Sequence, residues 1–91
     1  MSHTITAKPK LLGRVNRIIG QVEAVKRALE GERECGEVLR LIAASRGALD
    51  SLMAEVLEGH IRTHAFAKAR PGSEAANAAE EVIDVIRAYL K

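Results

Sequence analysis

One cysteine and three histidines are the residues of this chain whose types and spacing could do chemistry. Cys35 stands in the polar segment Glu32-Arg33-Glu34-Cys35-Gly36-Glu37, whereas a cysteine kept only for packing would sit in an apolar run. His60 and His64 are four apart, so a helix sets them one turn apart on one face. His3 lies beside the chain start. Removal of Met1 ahead of the small Ser2 would let the Ser2 amine, the intervening amide and the His3 imidazole chelate one ion, although a terminal histidine is more commonly frayed and solvated. One thiolate among nitrogen donors suits borderline first-row ions: Ni(II), Co(II) and Zn(II). Cu(I) prefers more sulfur. Four or more ligands favour the higher coordination of nickel or cobalt, and three plus water satisfy tetrahedral zinc. A Cys/His pair can also serve nucleophilic catalysis, but a chain this short shows no oxyanion donor set and no lid, so no enzyme is expected.

The elements that carry these groups keep them apart. Residues 35–64 contain no proline and place apolar residues in every turn, which predicts one uninterrupted helix. Cys35 and His60 would then be separated by roughly 37 Å at about 1.5 Å per residue, too far to meet within one straight helix. Two copies pairing antiparallel about a two-fold axis near residue 48 or 49 bring Cys35 opposite residue 62 of the other copy, between its His60 and His64. Small residues near that axis (Ala43, Ala44, Ser45, Gly47, Ala48, Ser51) would let the backbones approach closely. The competing reading is that these small residues fill a core and the histidine pair is solvated.

The remaining sequence fits a single all-α domain over residues 1–91. Apolar residues make up 47% of the chain with little period-2 alternation, which excludes a sheet protein. The first long helix is expected over about residues 7–30, with Thr6 as cap and Pro9 tolerated in its first turn. Leu11, Val15, Ile18, Val22, Val25 and Leu29 form an a/d seam along it, and Gly31 stops it. After Pro71-Gly72, Ser73 caps a last helix over about residues 74–90, with Ala79, Val82, Ile83, Ile86, Tyr89 and Leu90 as its apolar face. The result is a three-helix protomer with a long central helix. With no signal peptide, no membrane-length apolar run and a single cysteine, a reducing cytoplasm is the expected setting, away from membranes.

Lys10, Arg14 and Arg17 repeat at helical spacing beside the apolar seam, with Gln21 continuing the row. With Lys8 they give the first 20 residues four bases and no acid. A basic helix face is often merely solvated. The asymmetry here, with a net charge of +2, favours a phosphate-binding stripe.

The run Arg17-Ile-Ile-Gly-Gln-Val-Glu-Ala24, then Glu34-Cys35, then Leu41-Ile-Ala-Ala-Ser-Arg-Gly-Ala48, then Leu52-Met-Ala-Glu-Val-Leu-Glu-Gly-His60, and the terminal Ile86-Arg-Ala-Tyr-Leu-Lys91 together resemble the CsoR/RcnR/FrmR family of bacterial transcriptional repressors. The resemblance covers almost the whole chain. It implies an antiparallel homodimer, a homotetramer built as a dimer of dimers, and binding to operator DNA that an effector abolishes. Within the family the copper branch has a cysteine where His64 stands. The formaldehyde branch has a proline at position two and usually an acid at 64, where this chain has Ser2 and His64. The nickel/cobalt branch shares the start Met-Ser-His-Thr-Ile, Cys35, His60 and His64, so the chain is most similar to nickel/cobalt efflux repressors. The resemblance implies a metal set of His3, Cys35, His60 and His64 with the terminal amine, taking Ni(II) or Co(II), with Zn(II) as an ion that binds in vitro. It carries Arg14 and Arg17 over as DNA contacts, and Lys91 more weakly; Lys10 is added from the stripe. One departure is Asp50-Ser51, where many relatives have Asn-Gly.

The expected function is a Ni(II)/Co(II)-responsive repressor controlling metal efflux, in which metal recruits the N-terminal segment beside Cys35 and the partner's His60 and His64. The alternative is a formaldehyde-responsive repressor bridging the Cys35 thiol and the N-terminal amine. A third reading is a helical interaction module without a DNA role.

Overall fold

Breaker-free apolar periodicity and local capping chemistry account for the long elements. The computed structural model describes residues 3–65 and 68–90, with the backbone alone at His3 and Ala65. A one-turn helix α1 (His3–Thr6) leads into α2 (Lys8–Glu30); α3 (Cys35–His60) follows, passes into a π turn at Ile61–Ala65, and α4 (Glu74–Leu90) ends the described chain. There is no strand among the described residues. The chain is thus all-α with a long central helix, as expected, and α2 runs along α3 while α4 packs on the far end of α3 and the π turn.

The ends of these helices follow local chemistry, with one displacement. Pro9 sits in the first turn of α2, but Ala7 rather than Thr6 occupies the cap position and no side chain caps it, because Thr6 belongs to α1. At the other end Arg33 N–H donates to the Ala28 carbonyl (3.0 Å) and Glu32 N–H to that of Leu29 (3.2 Å). These two bonds make a Schellman stop. Gly31 lies at its threshold with φ −83°, and the left-handed position falls on Glu32, at φ 53°. Pro71-Gly72 makes a tight turn, with Ser73 N–H donating to the Arg70 carbonyl at 3.0 Å and Gly72 at φ 80°. Ser73 Oγ then accepts from Ala76 N–H at 3.2 Å, capping α4 as the sequence predicts.

Packing departs from the expected faces in three places. On α2, Leu11, Val15, Ile18, Val25 and Ala28 turn inward, but Val22 and Leu29 are 50% and 61% exposed and join Leu12 and Ile19 in a second, open row. A straight helix at 3.6 residues per turn drifts off a strict heptad, so Ala28 takes the seat assigned to Leu29. On α4, Ala79, Ile83 and Ile86 join Ala54 and Ile61 in the core, with Leu90 against it, whereas Val82 and Tyr89 face outward. The helix predicted over residues 35–64 keeps its α winding only to His60. The wider π turn beyond it carries buried Ile61 and the Arg62 side chain that reaches α4.

The protomer is a thin plate of 56 × 25 × 12 Å. Its radius of gyration is 17.2 Å, against about 12 Å for a compact domain of this length. Its accessible surface is 6742 Å², where a compact monomer of this mass exposes about 5,200 Å². The excess is apolar in part: Leu39, Ile42, Leu49, Met53 and Leu57 form an open stripe along α3.

Candidate metal and nucleic-acid sites

The histidine pair is assembled by one chain. His60 closes α3, His64 follows in the π turn, and the ring centroids lie 5.0 Å apart with the planes tilted 40°. A π turn inside an α-helix re-aims the side chains after it and is frequent at functional sites.

Around this pair runs a network of charges. Glu58 accepts from Arg87 of α4 at 2.5 Å and lies 3.5 Å from Arg62, which in turn donates to Glu80 at 2.6 Å. The hydrogen bond from Arg87 holds the Glu58 carboxyl below its ordinary value against the opposing pull of partial burial, and the charges of Arg87 and Arg62 add to the lowering. The Arg62 guanidinium is held above its ordinary value, first by its hydrogen bond to Glu80. These pairs clip α4 to the segment that carries both histidines. Sequence alone assigns Arg87 only to the end of its own helix.

Cys35 is exposed at the first turn of α3, the opposite end from His60. Among the described residues no three of His, Cys, Asp and Glu converge on a point that could hold a metal ion. The structure therefore brings His60 and His64 together and keeps Cys35 away from them. The Ser2 amine and Lys91 lie outside the described residues, as does the His3 side chain. The N-terminal backbone does have a place. α1 packs against α3, and Thr4 lines an open apolar groove of about 1060 Å³ that also includes Arg46, Leu49, Asp50, Met53 and His60. The segment expected beside Cys35 thus lies with the His60 of its own chain. The donors fit a borderline divalent ion in number and type only when the thiol comes from elsewhere.

The basic row is present but not free. Lys10 Nζ lies 3.0 Å from Glu55 Oε1, and Arg14 Nε lies 2.7 Å from Glu55 Oε2. Glu55 projects from α3 between them and is half-buried. Its Oε2 makes no geometrically sound hydrogen bond, so the Arg14 contact is one of charge. Arg17 has no ion-pair partner among the described residues and borders a small cleft with Gln21 and Ser51. Periodicity marks Lys10, Arg14 and Arg17 but not Glu55, since one acid on a long helix carries no signal until the helix opposite is known.

The profile of a family described as metal-sensitive transcriptional repressor matches residues 7–88. The chain is 50% identical over 91 residues, the whole of both chains, to an uncharacterized protein in the bioA 5′ region of Serratia marcescens. It is 48% identical over 90 residues to the transcriptional repressor RcnR of Salmonella arizonae, covering 99% of this chain and 94% of that one.

Proposed function

Because the chain belongs to the metal-sensitive transcriptional repressors, we propose that it is a Ni(II)- or Co(II)-responsive repressor of metal-efflux genes, released from operator DNA when the ion binds. The observation that carries this reading is the His60–His64 pair, with rings 5.0 Å apart, at the end of the groove that the N-terminal segment also lines. Nitrogen donors gathered there by one chain, completed by a thiol from another, form a set suited to nickel or cobalt.

His60, His64, His3 and the terminal amine of one chain would hold the ion together with the partner's Cys35. The ion supplies a charge that draws these donors together. The chain's own part is transmission. Only Ala7 separates α1 from α2, and the Leu11 N–H bond to the Ala7 carbonyl at 3.0 Å ties the junction into the helix. Ordering the N-terminal segment at His60 therefore shifts the first turns of α2, which carry Lys10 and Arg14. Lys10, Arg14 and Arg17 bind operator phosphates, with Lys91 as an outlying contact, so affinity falls steeply with salt. Coupling of about 1–3 kcal/mol between the two ligands gives release of several-fold or more. The repressor acts in the cytoplasm as a homodimer or as a tetramer of two dimers; no helix among the described residues is long and apolar enough to cross a membrane.

The test is anaerobic titration of the reduced protein with Co(II), followed by visible absorption and by operator binding. A thiolate charge-transfer band with weak d–d absorption, rising together with loss of DNA binding, is the expected result. Intense d–d bands would indicate a tetrahedral, zinc-like site. Absence of the thiolate band, with release by formaldehyde instead, would overturn the metal reading.

A further inference from the structure

Arg87 belongs to two neighbourhoods. From α4 it grips Glu58 with two hydrogen bonds, Nη2 to Oε1 at 2.5 Å and Nε to Oε2 at 3.3 Å. It also lines a polar cleft of about 380 Å³, together with Lys10 and Arg14 of α2 and with Ser51, Glu55 and Glu58 of α3. The cleft therefore gathers three bases from two helices over two acids from a third, which leaves it one positive charge in excess. The bases stand outermost. Their side chains are at least 43% exposed, those of Glu55 and Glu58 at most 26%. An anion approaching from solvent meets the bases first, with the acids behind them on α3.

We propose that this cleft seats an operator phosphate and that Arg87 is its third basic contact, adding α4 to the DNA surface that α2 presents. A phosphodiester carries a single negative charge, which matches the excess. Its oxygens accept from several donors at once, and a guanidinium presents its donors in a planar fork that suits them. Lys10 and Arg14 supply donors from α2 and Arg87 supplies the fork from α4, so one phosphate is held by two elements. Arg14 also borders the neighbouring cleft that holds Arg17, so the seat continues the basic row. Glu58 keeps Arg87 in place while DNA is absent and yields it when a phosphate arrives, as Glu55 does for Lys10 and Arg14. Glu58 also lies 3.5 Å from Arg62, in the π turn that carries His64. The acid that restrains Arg87 thus shares a network with the histidine segment.

This inference rests on the reading that α2 binds operator DNA, and its test separates the two. Arg87→Ala, Arg87→Lys and Glu58→Gln are compared with the natural chain by fluorescence anisotropy over a series of salt concentrations. The probes are an operator duplex and a mixed-sequence duplex of equal length, and circular dichroism checks that each variant is folded. Arg87→Ala is expected to weaken binding to both duplexes by about threefold or more, and to lower the slope of log affinity against log salt by about one for each phosphate lost. Arg87→Lys keeps the charge and should retain the slope. Glu58→Gln keeps the shape of the acid but loosens its hold on Arg87, and should tighten binding by roughly two- to fivefold. The opposite signs discriminate, since a merely structural clip is weakened from either side with the same outcome. DNA binding that shifts the same way in Arg87→Ala and Glu58→Gln, or an Arg87→Ala slope equal to that of the natural chain, would overturn this proposal alone. A natural chain that binds neither duplex would overturn the operator reading and the proposal with it.

Discussion

Arg14 lies 2.7 Å from Glu55, a carboxylate on the opposing helix that also holds Lys10 at 3.0 Å. Under the proposed function, in which Lys10 and Arg14 bind operator phosphates, that carboxylate competes with DNA for both side chains and sets the starting point of DNA affinity.

Glu55→Gln should therefore tighten operator binding by roughly two- to fivefold, the equivalent of about 0.5–1 kcal/mol of ion pairing no longer displaced. Fluorescence anisotropy at fixed salt measures it. Arg14→Ala/Arg17→Ala should weaken binding and flatten the slope of log affinity against log salt by about one for each phosphate that is no longer neutralised. Unchanged binding in that double variant would remove the DNA assignment.

A site that takes its thiol from one chain and its imidazoles from another is open to complementation. Cys35→Ala and His60→Ala/His64→Ala chains should each lack the Co(II) thiolate band. Mixed and allowed to exchange subunits, they should regain part of it, because a mixed dimer holds one intact site. No regained band would overturn the site shared between two chains.

The clip between α4 and the histidine segment has a defined pH window. The Glu58 carboxyl is held below its ordinary value of 4.5 by Arg87, so its stabilising contribution is fully present above that value. It is lost as pH falls through the lowered folded value. Arg87→Ala should cost about 0.2–1 kcal/mol at neutral pH, as exposed ion pairs do. The difference in Tm from the natural chain should shrink once the solution is acid enough to protonate Glu58. A difference that persists unchanged in acid would assign the effect to packing instead.

Glu32 occupies a left-handed position at φ 53° that a side chain resists and glycine does not. Glu32→Gly should raise stability by about 0.5–1 kcal/mol. Urea denaturation at one fixed protein concentration provides the measurement, with unchanged metal and DNA binding as the control.

The long helices were legible because their signals are local. Apolar spacing, Gly31-Glu32 and the Pro71-Gly72-Ser73 punctuation act within a few residues of themselves. The separation of Cys35 from His60 and the adjacency of His60 and His64 followed from helix geometry alone. What the sequence did not disclose depends on which helix lies opposite. The π turn shares its segment with Ile61 and Arg62, both engaged with α4. The outward placement of Val22, Leu29, Val82 and Tyr89 is set by crossing geometry. The pairing of Glu55 with Lys10 and Arg14 is set by the register of α2 on α3. The place of the N-terminal segment beside its own His60 is a tertiary fact of the same kind, since so short a stretch before a helix carries no periodicity.

The plate is 12 Å thick, about one helix diameter with side chains. A wall one layer deep has two outer faces and little inside, and a lone chain leaves the apolar stripe of α3 wet. In the dimer of the proposed function that stripe is sheltered only while two chains stay together, so dilution should act as heat does, lowering the melting temperature with every decade of concentration. On that reading the number of copies in the cell becomes a variable of the fold itself.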